Sequence, residues 1–247
     1  LYNAQESISP IYVILFDRMI FLPTHIYSFI KMAFVPVNLT ADYVFSYTHH
    51  FFAASNLIGF LFVAGLAVGS VFIFKYSRKI FFGIWWFFIT LFPVYNIIPI
   101  YNPFAERFLY IPLIGFCMLV SIVFNTLMNK RLSETLPVKV LASVAIIAIL
   151  SFYATITIAR NLDWKDSLTL WSKTVITSPN SSIAHGSLGR AYQDLGQLEE
   201  AIREHKMAIE IFPNNYKAFY NLGVLYDRQG ALKEAVANYK STIAINQ

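Results

Sequence analysis

Asn102-Pro-Phe-Ala-Glu-Arg-Phe-Leu-Tyr-Ile-Pro112 is the stretch from which the rest of the chain can be read. It stands where a short loop enters an apolar run. Glu106 and Arg107 carry the only formal charges between Lys79 and Lys130. Charges at the mouth of an apolar segment are costly unless they pair with each other or meet a charged ligand. The residues before it read as membrane, and so does the run after it. A module of another kind begins near Arg160.

Working outward, four apolar runs cover 54–74, 80–101, 107–128 and 140–159. Each approaches the ~20 residues that cross a bilayer. Lys75, Arg78 and Lys79 lie between the first two, and Lys130, Arg131 and Lys139 between the last two. Loops 37–53 and 102–106 hold no Lys or Arg. By the positive-inside rule, 75–79 and 129–139 face the cytoplasm, while loop 37–53, Glu106–Arg107 and the tail face outward. The tail would then lie in a periplasm, an ER lumen or the exterior. Pro93 and Pro99 are expected to bend the second run near its outer end. Upstream, 11–36 is apolar but interrupted by Asp17, Arg18, Thr24, His25, Ser28 and Lys31. At 100° per residue these six share an arc of roughly 140°, which suits a helix lying in the membrane interface. A span whose Arg18 and Lys31 snorkel is the alternative. The expected organisation is an interfacial helix and outward loop over 1–53, four transmembrane helices over 54–159, and a separate module over 160–247.

Composition agrees. The 247 residues are 57% hydrophobic and 13% charged, with mean hydropathy +0.54. Ordinary soluble domains carry about 25% charged residues, so a purely soluble protein is excluded. The net charge of +5 comes mainly from residues 1–159. There it reads as topology rather than as a nucleic-acid footprint. The single cysteine, Cys117, excludes a disulfide framework.

The tail repeats. Residues 180–213 and 214–247 align without gaps at a period of 34. Leu188 and Leu222 match, as do Gly189 and Gly223, Tyr192 and Tyr226, Gly196 and Gly230, Ala201 and Ala235, and Ile209 and Ile243. Pro179 and Pro213 keep the same spacing. This is the tetratricopeptide (TPR) pattern, in which small residues let two antiparallel helices approach. His185 and Phe219 stand where Trp is usual. Residues 162–178 match the second helix of a further repeat. The predicted fold is therefore all-α: a polytopic transmembrane helix bundle followed by a TPR solenoid. The chain opens on Leu1 and ends at Gln247 without a capping helix, so it reads as part of a longer protein.

No nucleophile triad, phosphate loop or zinc spacing occurs. The chemistry-bearing candidates reduce to Glu106 and Arg107, with Asp42, Tyr43, His49, His50, Tyr101, Asn102 and Tyr110 as lining residues. Arg suits a phosphate because its planar fork donates two bonds at once. The competing reading is a structural Glu106–Arg107 pair at a helix end. His49 and His50 with Asp42 could ligate a metal, although adjacent histidines point apart on most backbones. Asn38-Leu-Thr40 fits the glycosylation triplet, a common chance match. Asn221, in the first helix of its repeat, is a candidate for acceptor-peptide binding, with Ser187 in the equivalent place.

Pro36-Val-Asn-Leu-Thr-Ala-Asp-Tyr43, then Ala105-Glu-Arg-Phe-Leu-Tyr-Ile-Pro112, then Trp164-Lys-Asp166 with Leu170-Trp171, then the repeats, resemble the transmembrane and TPR-containing protein O-mannosyltransferases and their bacterial relatives. The resemblance implies a C-type glycosyltransferase that takes a sugar from a polyprenyl-phosphate carrier on the outer or luminal face. It implies that Arg107, with Glu106, lines the donor-phosphate region, and that the repeats position a protein acceptor. It also implies a catalytic acid in a first outward loop that this sequence does not contain, so the piece alone is expected to be inactive. Leu113 replaces the Ser usual after the string's Pro. No cofactor is identified beyond the lipid-linked sugar donor, and a divalent metal is left open. The expected partners are the lipid bilayer, the donor and a protein acceptor, not nucleic acid. A different class of function, a membrane-anchored TPR scaffold without enzymatic activity, fits the repeats equally well but gives the Glu106–Arg107 mouth no task.

Overall fold

The computed structural model describes residues 11–44, 54–94, 104–129 and 136–246. Among them every regular element is helical. The described residues fall into two units: 11–37, 54–94, 104–129 and 136–158 form an apolar unit, and 38–44 with 159–246 form a repeat unit.

In the apolar unit, α1 runs Ile11–Phe34 with Pro23 inside it. It stops two residues before Pro36, as the restriction on residues preceding proline requires. α2 (Ala54–Tyr76) and α3 (Arg78–Leu91) meet at Ser77, which caps α3 by accepting from Ile80 N. α3 is α-helical for 14 residues only and then tightens into a 3-10 turn at Phe92–Val94. Pro93 lacks the amide that the next helical bond needs, so the α-helix ends before it rather than bending through it. The remainder of the expected 80–101 run lies outside the described residues. After a second 3-10 turn, Glu106–Leu109, α4 runs Pro112–Asn129 and α5 Leu136–Asp163. Thus the run expected to begin at 107 enters its helix only at Pro112, whose fixed φ suits a helix start.

Among the described residues two helices are long and apolar enough to cross a membrane: Leu57–Tyr76, with mean hydropathy 2.5, and Lys139–Asp163, with 2.2. Pro112–Thr126 is a shorter apolar helix. The unit is held by close backbone approaches. A Cβ on Gly115 would sit 2.5 Å from the Gly83 carbonyl oxygen, so α3 and α4 touch backbone to backbone. Tyr153 of α5 donates to the terminal carbonyls of α1, at 2.8 Å from Ala33 O and 3.0 Å from Phe34 O. Those carbonyls have no partner within their own helix. Of the polar arc on α1, Lys31 is exposed, Thr24 and Ser28 are half-buried, and His25 is buried.

The repeat unit confirms the 34-residue reading. α6 (Ser167–Thr177) precedes two helix pairs, α7 (Ser182–Asp194) with α8 (Leu198–Ile211) and α9 (Tyr216–Arg228) with α10 (Leu232–Ile245). Gly196 and Gly230 follow α7 and α9 at φ +74 and +76, the left-handed conformation that ends a helix and that glycine adopts freely. Gly189 and Gly223 lie where the paired helices cross. A Cβ there would meet the His205 ring at 3.0 Å and the Tyr239 ring at 2.5 Å. Ala184, Ala201, Ala208, Ala218 and Ala235 are buried along the same seams. The half repeat expected over 162–178 is α6, capped by Asp166, which accepts from Thr169 N at 2.7 Å.

The strap 38–44 belongs to this unit. Ser181 Oγ donates to Asp42 Oδ2 at 2.6 Å, and Ser178 Oγ donates to the Asp42 carbonyl at 2.8 Å. Ser181 is also the N-cap of α7, accepting from Ala184 N at 2.8 Å. The Asp42 carboxylate therefore stands at a helix N-terminus, where a negative charge is favoured. Thr40 is buried beside it and shares a hydroxyl contact with Ser178 at 3.4 Å.

Candidate functional site at the Glu106–Arg107 turn

Ala105 is extended (φ −155, ψ 149), and the chain then closes a 3-10 turn through Phe108 N to Ala105 O at 3.1 Å and Tyr110 N to Arg107 O at 3.4 Å. Phe104, Ala105, Leu109 and Pro112 are buried, whereas Arg107 and Tyr110 face outward and Glu106 is half-buried. An i to i+3 turn alternates its faces in this way: Ala105 and Leu109 anchor it, and Arg107 is presented between them.

The turn is pinned from two helices. Phe104 packs on Phe29 of α1 with ring centroids 4.2 Å apart, and His25 stacks beside it at 6.3 Å. From α3, Trp86 Nε1 donates to the Ile111 carbonyl at 3.0 Å. Neither pin follows from the sequence pattern. The available signal was the aromatic at Phe104 within the string itself.

The Arg107 guanidinium lies 5.0 Å from the centroid of the Phe108 ring. Among the described residues no ion pair joins it to Glu106. The fork of Arg107 thus stands against an aromatic face, with no carboxylate on it among the described residues. A base presented this way can bind an anionic group.

Asp42 and Tyr43, expected as lining residues, belong to the repeat unit. The Asp42 carboxylate is engaged by Ser181, and the Tyr43 hydroxyl accepts from Thr40 N at 3.4 Å. Among the described residues no group of three or more His, Cys, Asp or Glu could hold a metal. His49, His50, Tyr101 and Asn102 lie outside the described residues. Asn221 is half-buried on α9, and Ser187 is half-buried at the equivalent place on α7.

Comparison with known proteins adds context. A family model described as TPR repeat matches residues 189–230, and one described as Tetratricopeptide repeat matches 216–247. The chain is 28% identical over 136 residues to Protein O-mannosyl-transferase Tmtc3 of Drosophila melanogaster, covering 55% of this chain and 14% of that protein. It is 33% identical over 110 residues to Tmtc2 of the same organism, covering 44% and 11%. Against TMTC3 of Mus musculus it is 26% identical over 170 residues, covering 67% and 18%. The chain therefore resembles the protein O-mannosyl-transferases and spans between 11 and 18% of the length of these three. Among solved structures, MamA from Desulfovibrio magneticus is 22% identical, with a TM-score of 0.32, over 57% of this chain and 75% of that one.

Proposed function

We propose that the chain is part of an integral-membrane glycosyltransferase that takes mannose from a polyprenyl-phosphate carrier. Arg107 contacts the donor phosphate, Glu106 lies beside it, and the repeats position a protein acceptor. The observation that carries this reading is the presentation of Arg107. It is exposed, free of a carboxylate partner among the described residues, and held on a turn pinned by α1 and α3. The relatives' names supply the sugar and the class of acceptor.

The membrane setting is supported by the surfaces of α2 and α5. In the apolar windows of those helices, 11% and none of the residues are buried, and Leu57, Ile58, Phe60, Leu61, Val71 and Phe72 are bare on α2. Apolar area of that extent is stable only when covered by lipid or protein. The basic clusters at 75–79 and 130–139 support cytoplasmic loops there, with Arg107 and the repeats on the opposite side.

The test is sugar transfer by the full-length protein. Arg107→Lys keeps the charge and loses the planar fork, so transfer should fall; Arg107→Ala should fall further. Unchanged transfer in both variants would remove Arg107 from the donor site. An acceptor-binding full-length protein that transfers no sugar from any polyprenyl-phosphate donor would favour the scaffold.

A further inference from the structure

The first repeat buries histidines at two positions where the second carries half-buried aromatics: His185 aligns with Phe219, and His205 with Tyr239. His185 has partners on both sides: Nδ1 lies 2.6 Å from Glu204 Oε2 and Nε2 lies 3.0 Å from the Pro179 carbonyl. His205 is fully buried, with its ring against Gly189 of α7. Among the described residues neither of its nitrogens has a hydrogen-bond partner.

We propose that the first repeat, α7–α8, is an acid-sensitive element of the array, opened by protonation of His205 while the second repeat lacks the trigger. Imidazolium has two N–H donors and a charge. Both nitrogens of His185 face acceptors. On His205 a second proton would be buried with no acceptor, and burying an unpaired charge is strongly unfavourable.

Among the described residues no charged group pairs with His205. From α7, Arg190 and Asp194 are exposed, and His185 is engaged by Glu204 of α8. From α9, Lys217, Asp227 and Arg228 are exposed, and Tyr226 lies under Lys206, 5.9 Å from its ring centroid. None of these is hydrogen-bonded to His205. Burial accordingly lowers the His205 pKa to about 4. The opened repeat would regain the ordinary value of about 6.5. Between those values the open form binds a proton that the closed form excludes. Closure is thus fully favoured above about pH 6.5 and weakens as pH falls, by about tenfold per unit at first and by roughly 150-fold at pH 4. Tyr239 is neutral throughout this range.

Hydrogen exchange on the whole chain in lipid nanodiscs, corrected for intrinsic rates, tests the proposal. Between about pH 7 and pH 5, protection of the α7–α8 amides should fall about tenfold per unit below pH 6.5, with α9–α10 affected less. His205→Tyr, and separately His205→Phe, should remove that slope. A slope that persists in both variants, or is absent from the unaltered chain, overturns the proposal. So does a slope that vanishes only in His185→Phe, which would make His185 the sensor.

Discussion

The strap 38–44 and the turn 104–110 are both short polar segments at the ends of apolar helices. They treat their charges in opposite ways. The strap buries Asp42 against Ser181 and Ser178, residues more than 130 positions away in sequence. The turn buries its apolar residues, Phe104, Ala105 and Leu109, and leaves Arg107 outside. A buried charge whose bonding capacity is filled from within the fold has little left to offer a ligand. An exposed charge on a fixed backbone keeps its capacity. The comparison therefore gives Asp42 a structural task and leaves Arg107 available for the proposed binding role, where the sequence offers Arg107 as a phosphate contact and Asp42 as a lining residue.

The largest effect on stability should come from the strap. Asp42→Ala removes the carboxylate that accepts from the buried Ser181 hydroxyl while keeping the backbone carbonyl that accepts from Ser178, and loss of such a charged acceptor costs about 1.5–3 kcal/mol. Thermal melting should show the drop, and hydrogen exchange should place it at the α6–α7 junction. An unchanged melt would mean that Asp42 is free for other work, and the contrast with Arg107 would collapse.

A somewhat smaller loss is expected at the far end of the same unit. Gly223→Leu forces a side chain against the Tyr239 ring, where even a Cβ would come to 2.5 Å. Overpacking of this kind costs roughly 1–3 kcal/mol. Because each repeat leans on its neighbour, the damage should spread toward α7. Damage confined to α9–α10 would show that the strap and α6, not the array, support the first repeat.

The smallest effect concerns the turn. Trp86→Phe deletes the bond to the Ile111 carbonyl and keeps an aromatic ring, a change of about 0.5–1.5 kcal/mol. It should loosen the turn, weakening donor binding more than it lowers the melting temperature. If melting falls and binding does not, Trp86 stabilises α3 without positioning Arg107.

The repeats were legible in the sequence because their helices bury small residues at fixed offsets, and Gly189, Gly223, Ala201 and Ala235 display that period directly. The turn was legible because Glu106 and Arg107 are isolated charges in an apolar stretch. Its pins were not, since the Phe104–Phe29 packing and the Trp86–Ile111 bond join segments with no shared pattern. The strap's partners were hidden for the same reason: Asp42 follows α1 in the chain, and only the long-range hydroxyl contacts tie it to Ser178 and Ser181. His205 escaped notice because a histidine in an amphipathic helix reads as polar surface until its burial is known.

The central claim is that Arg107 binds a phosphate while Asp42 supports the fold. Its most direct test is equilibrium binding of a polyprenyl phosphate to the full-length protein and to its Arg107→Ala and Asp42→Ala variants, with melting followed in parallel. Removing the charge-assisted contact should weaken binding by Arg107→Ala roughly tenfold to a hundredfold, with melting unchanged. Asp42→Ala should melt earlier and, below its transition, bind as the unaltered protein does. Full affinity in Arg107→Ala, or a loss of binding in Asp42→Ala at temperatures where it remains folded, would contradict the account.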